Sequence, residues 1–121
     1  MMLYHVGLEV SDLDRAARFY DAVFHAIGAR RLHHGDHAVA WGIDEPELWL
    51  TRRSAPAPGY GHVAVRASGK AAVDAAYAAG LAHGGSDDGP PGPRPQYGPR
   101  YYAAYLRDPD GLRVEVVSPG R

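Results

Sequence analysis

Apolar and polar residues alternate over positions 3–10, with Tyr4, Val6, Leu8 and Val10 on one side and Leu3, His5, Gly7 and Glu9 on the other. That period of two predicts a strand with one apolar face and one face carrying His and Glu. The period then lengthens. Leu13, Ala16, Ala17, Tyr20, Val23, Phe24 and Ile27 recur at helical spacing, Ser11 and Asp14 form an S-x-x-D capping pattern ahead of them, and Gly28 ends the run. Three strand-like segments follow at 30–34, 38–42 and 48–52, parted by Gly35-Asp36 and by Asp44-Glu45-Pro46-Glu47. The order is β-α-β-β-β.

Residues 54–59 (Ser-Ala-Pro-Ala-Pro-Gly) fit no regular element and read as a linker. After them the order begins again. A strand at 61–67 places His62, Ala64 and Arg66 on one face, and Ser68 opens a helix whose buried stripe is Val73, Ala76, Tyr77 and Gly80, closed by Gly84-Gly85. Residues 86–100 are too rich in Gly and Pro for a helix or a central strand, so the middle strand of this second unit must lie beside or inside a long loop. Two strands complete the unit. In the first, Tyr101, Ala103 and Tyr105 oppose Tyr102, Ala104 and Leu106; in the second, Leu112, Val114 and Val116 oppose Arg113, Glu115 and Val117. Asp108-Pro109-Asp110-Gly111 turns the chain between them: Pro109 presets its φ, Asp108 bonds back to the turn backbone, and Gly111 tolerates the exit geometry.

The two units align through their histidines. His5-Val6-Gly7-Leu8 matches His62-Val63-Ala64-Val65 at an offset of 57 residues, and Leu48-Trp49-Leu50 answers Val114-Glu115-Val116. A duplicated unit, each half too small to bury its own sheet, predicts an α+β fold of two tandem βαβββ modules in a curved mixed sheet. The expected layout is one domain over 1–121, with module 1 at 1–53, the linker at 54–59 and module 2 at 60–121.

Composition narrows the chemistry. The chain has 121 residues, a net charge of -1 and no basic run, which argues against nucleic acid or an anionic membrane as partner. There are no cysteines, so a metal site would have to use His, Asp or Glu. No apolar run approaches a membrane span and no secretory leader is evident, so a cytoplasmic protein is expected. If equivalent faces of the two modules meet, His5, His62, Glu115 and Trp49 converge in one cleft. Two imidazoles and a carboxylate suit Fe(II), Mn, Ni or Zn with positions left open for substrate, whereas a lone His at a strand end would simply bond to backbone.

Taken in order, Tyr4-His5-Val6-Gly7-Leu8-Glu9-Val10, Asp12-Leu13 with Phe19-Tyr20, Gly61-His62-Val63-Ala64-Val65, and Asp108-Pro109-Asp110-Gly111 running into Val114-Glu115-Val116 resemble the vicinal oxygen chelate superfamily. This is the glyoxalase, bleomycin-resistance, fosfomycin-resistance and extradiol dioxygenase group. The resemblance implies a divalent metal held by His5, His62 and Glu115, with Glu115 also a catalytic proton shuttle, and a small-molecule substrate. It also implies a homodimer, in some members with sites built from both chains. Trp49 stands where glyoxalase-like members carry a fourth ligand, and indole cannot ligate a metal. Trp49, Tyr105 and Arg100 are the substrate-binding candidates, and Glu9 is a candidate supporting acid unless it pairs with Arg66. The first expectation is a metal-dependent enzyme of glyoxalase-like lyase or isomerase type on a small oxygenated substrate. An Fe(II) extradiol-type dioxygenase is the alternative within enzymes, and a metal-free protein sequestering a flat drug between Trp41, Trp49 and the tyrosines is the alternative outside them.

Overall fold

The computed structural model describes residues 4–52 and 62–120; the expected linker at 54–59 and Arg121 lie outside the described residues. The first module runs β1 (Val6–Val10), α1 (Leu13–Ala26), β2 (Arg30–His34), β3 (Ala38–Gly42) and β4 (Pro46–Arg52). The second runs β5 (His62–Arg66), α2 (Lys70–Ala82), β6 (Ser86–Pro93), β7 (Tyr102–Arg107) and β8 (Arg113–Ser118). The strands form two four-stranded sheets of identical plan, β1-β4-β3-β2 and β5-β8-β7-β6. In each, the first strand pairs parallel with the last, and the remaining pairs are antiparallel. The repeat extends to register. Gly7 lies opposite Trp49 and Ala64 opposite Glu115, so Trp49 and Glu115 are structural equivalents.

One element differs from the sequence-based expectation, and the strand expected beside or inside the long loop is found within it. The cap of α1 is Asp12, whose carboxylate accepts from the Arg15 amide at 3.0 Å, rather than Ser11. Ser11 is drawn away by Asp110, which accepts from both its amide and its hydroxyl. The Gly/Pro-rich segment at 86–93 is a strand, β6, at the edge of its sheet. An edge strand pairs on one side only, so the missing N–H groups of Pro90, Pro91 and Pro93 are tolerated there, at the cost of register breaks around Gly89.

Both helices lie between the sheets and pack on each other, giving one core that draws on both modules: Val39, Leu48 and Leu50 from the first sheet, Ala104, Leu106, Val114 and Val116 from the second. Phe19 is the knob of this join. A Cβ at Gly80 would stand 3.1 Å from the Phe19 ring, and one at Gly85 only 2.3 Å, so two bare backbones make the hole that the fully buried ring fills. Beside it, the Tyr20 hydroxyl donates to Asp108 at 2.9 Å, and Arg15 pairs with Asp110 at 2.8 Å. Asp108 is buried; its second oxygen accepts the amides of Asp110 and Leu112, as the turn chemistry predicts, and Gly111 takes φ 89. Trp41 also belongs to the core, packed on Tyr20 and Phe24 with its indole N–H on Asp21 at 2.7 Å.

Two stability outcomes follow from this join. Gly85→Ala should destabilise the protein by about 1–3 kcal/mol, the usual cost of overfilling a packed core, measured by urea denaturation; an unchanged midpoint would show that Phe19 can give way. Burial pushes the Asp108 carboxyl above its ordinary value, its hydrogen bonds opposing this only in part. Stability from such a group is complete below the unfolded value and is lost as pH rises through the folded one. Asp108→Asn keeps the two amide bonds and removes that loss, so relative to the parent it should gain melting temperature as pH rises from about 4, the ordinary carboxyl value, toward neutral. A constant difference across that range would contradict the argument.

Candidate functional site

Each sheet has one face on the helices and one turned away from them. On the outward face of the second sheet, strand alternation places Arg113, Glu115 and Val117 of β8 beside Ala103 and Tyr105 of β7, with Tyr105 directly opposite Glu115. Glu115 is 4% exposed, so it is no solvent-facing decoration. Its Oε2 accepts the Tyr101 hydroxyl at 2.6 Å, and its Oε1 lies 3.5 Å from His62 Nε2. Glu115 thereby holds the Tyr101 phenol in its protonated form, pushing it up to about 12. Tyr101 is thus a fixed donor at neutral pH, and it leaves Oε1 and the half-exposed His62 imidazole as an adjacent oxygen and nitrogen donor.

Around them lies a small second cluster, Ala103, Tyr105 and Val117 with Tyr101 against it, roofed by cations. Arg113 stacks over the Tyr105 ring at 4.1 Å and Arg94 at 5.7 Å, while the Tyr97 and Tyr101 rings meet at 5.3 Å. Burial, then the nearby Glu115 charge, raises the Tyr105 phenol above its ordinary value. Asp88 is shared by Arg113 at 2.7 Å and Arg107 at 3.2 Å.

The outward face of the first sheet carries the other expected residues. His5 and Trp49 make an edge contact at 6.5 Å between centroids, and His33 leans on the same indole at 5.1 Å. Glu9 and Arg66 are exposed on their respective strands and do not pair with each other. Arg100 is exposed as well. Trp41, enclosed in the core, cannot form a sandwich with Trp49, which removes that part of the flat-drug expectation.

One chain therefore brings His62 and Glu115 together but leaves His5 on the other sheet. Among the described residues no three His, Asp or Glu side chains gather to hold a metal. The expected convergence in one cleft does not occur within a chain, because the modules meet through their helices and turn the His-bearing faces outward. By type, the nitrogen, nitrogen and oxygen set of His5, His62 and Glu115 fits a divalent ion. By position, a single chain supplies two of the three. Tyr101, Arg113 and Arg94 are the neighbours that sequence reasoning missed. Alternation already put Arg113 on the Glu115 face and Tyr101 on the Tyr105 face, whereas nothing in the run of prolines before Arg94 shows where its side chain turns.

The family model described as Glyoxalase/Bleomycin resistance protein/Dioxygenase superfamily matches residues 3–116. Among solved structures, a glyoxalase/bleomycin resistance protein from Albidiferax ferrireducens T118 is similar at 29% identity and TM-score 0.83, covering 97% of this chain and 98% of that one. The fosfomycin resistance protein FosX from Mesorhizobium loti shares the fold at 22% identity and TM-score 0.69, covering 98% and 92%. FosX from Listeria monocytogenes, solved as an E126Q mutant with Mn(II) and 1S,2S-dihydroxypropylphosphonic acid, shares it at 22% and 0.68, covering 97% and 89%. No curated protein matches the chain. With the duplicated sheet plan, the paired histidine strands and a family match over nearly its whole length, the chain belongs to the glyoxalase/bleomycin resistance protein/dioxygenase superfamily.

Proposed function

We propose that this protein is a divalent-metal-dependent enzyme acting on a small oxygenated substrate, with glyoxalase-like lyase or isomerase chemistry, and that its site is completed in a homodimer. The observation that carries the reading is Glu115: a buried carboxylate with one oxygen fixed by Tyr101 and the other turned toward His62. A buried charge calls for a counter-charge or a full set of hydrogen bonds, and Glu115 has one strong bond. Two outward faces, one with His5 and Trp49 and one with His62 and Glu115, are complementary halves. A two-fold partner that lays one half on the other supplies the third donor, and closed two-fold dimers are the commonest assemblies. The fold is shared by FosX of Listeria monocytogenes, whose structure holds Mn(II), which supports a metal here without naming it.

A divalent ion at His5, His62 and Glu115 would supply a Lewis acid for neighbouring substrate oxygens. The chain's own residues have separable tasks. Tyr101 orients Glu115 through Oε2, so that Oε1 alone faces the site. Glu115, beside His62, is the group placed to take and return a substrate proton. Trp49, in the register position of Glu115 but unable to ligate, forms a flat wall with His33 behind it.

Mixing a His5→Ala chain with a Glu115→Ala chain tests the shared site. Each homodimer lacks a ligand in both sites, whereas a heterodimer regains one complete site, so about a quarter of all sites should recover metal at random two-fold pairing. Elemental analysis of the mixture reads this directly. No recovery, with a mass in light scattering of one chain, would exclude the shared site; no metal in the parent protein would favour a metal-free binding protein instead.

Tyr101→Phe should weaken metal binding by about 10–100-fold, the usual loss when a ligand's supporting hydrogen bond is removed, with folding and dimer mass unchanged. Competitive titration against a chromogenic chelator measures it. Equal affinity in the two proteins would reduce Tyr101 to packing.

A further inference from the structure

We infer that Arg94 is the anion-recognising residue of this site, and that the substrate carries a carboxylate, phosphonate or phosphate group. The inference rests on the reading of His62 and Glu115 as the place where substrate is held. It begins with charge. Among the described ion pairs, Arg15 meets Asp110, Arg31 meets Asp21, and Arg107 and Arg113 share Asp88. Arg94 is held differently. Its Nη2 donates to the Pro90 carbonyl at 2.7 Å and its Nη1 to the Pro93 carbonyl at 3.3 Å, both neutral acceptors. The guanidinium is thus positioned without being neutralised.

The positioning is built into β6. A Cβ at Gly92 would stand 3.0 Å from Arg94 Nη1, so the bare glycine provides the space into which the head group folds. A Cβ at Gly89 would likewise stand 3.1 Å from the Tyr105 ring, and that ring is the platform over which the Arg94 and Arg113 guanidinium groups lie. Tyr105 is opposite Glu115 in the β7–β8 register, so the ring over which the Arg94 guanidinium lies is the neighbour of Glu115 on the donor face. The Arg94 amide also donates to the Tyr101 carbonyl at 2.8 Å, so the backbone that carries the cation is tied to the residue that orients Glu115.

Five N–H groups on a guanidinium and two used on carbonyls leave three, in a planar fork suited to an oxyanion. The surrounding face holds the guanidinium groups of Arg94, Arg107 and Arg113 against the carboxylates of Asp88 and Glu115, in a chain whose net charge is -1. A divalent ion would add to that surplus. Arg100, a substrate-binding candidate from sequence, is exposed, whereas Arg94 is half-buried and already fixed.

Inorganic phosphate is the probe, titrated calorimetrically into the full chain loaded with Mn(II) and again after chelation. The parent protein should bind it; Arg94→Gln should bind about tenfold more weakly or worse, the equivalent of one charge-assisted hydrogen bond. Gly92→Ala, which keeps the charge but takes the guanidinium's space, should also weaken binding, and Arg18→Gln on the exposed face of α1 should not. Circular dichroism confirms folding of each. Failure of the parent to bind millimolar phosphate, or equal binding by the parent and Arg94→Gln, overturns the proposal. Arg94-dependent binding that persists in a protein found to hold no metal supports the anion site while removing the metal reading, so the two fail separately.

Discussion

The seating of Phe19 against Gly80 and Gly85 decides what the rest of the molecule can do. Because the helices of the two modules pack on each other at that point, both sheets must turn their apolar faces inward to the helix layer, and their polar faces outward. The Tyr20 to Asp108 bond and the Arg15 to Asp110 pair sit on the same seam, linking the first helix to the turn that leads into β8. The segment holding the modules together is therefore joined to the strand that carries Glu115. A shift at the seam would be felt in the register of β8, and so in the relation between Glu115, Tyr101 and His62.

Much of this was legible in the sequence, for identifiable reasons. The strand-like segments at 30–34 and 38–42 correspond to β2 and β3, the second of which sends Val39 and Trp41 into the core. The offset between His5 and His62 anticipated identical strand order in the two sheets, since a duplicated unit buries the same faces twice. Asp108 bonds back into its turn because its carboxylate reaches the amides two and four residues on, which is local chemistry. What escaped depends on contacts distant in sequence. Ser11 looked like a cap, but Asp110, 99 residues away, competes for it and Asp12 takes the role. Trp41 and Trp49 are alike in composition and differ in phase: one packs on Tyr20 and Phe24, the other lies outward against His33.

The candidate site shows the same division. Alternation predicted which side of its strand Glu115 would occupy, but not that Tyr101 would reach its carboxylate or that His62 would stand beside it. Those contacts depend on how β5, β7 and β8 are arranged around a shared centre. Arg94 was still less visible, since Pro and Gly signal irregular backbone and say nothing of an edge strand whose bare positions receive a guanidinium and a tyrosine ring.

The equivalence of Trp49 and Glu115 gives the duplication its chemical meaning. Both stand at the centre of the last strand of their sheet, opposite the residue two positions beyond the strand's histidine. In one module the position offers a buried, oriented carboxylate; in the other it offers an indole flanked by two imidazoles. Identical halves laid together would present two carboxylates to a shared ion and leave little room for substrate. In the proposed dimer, unlike halves would instead present one carboxylate and one apolar wall. On the proposed reading, the loss of a ligand at Trp49 is what makes room for a substrate, and the helix join that separates the halves within a chain makes that room depend on a second copy.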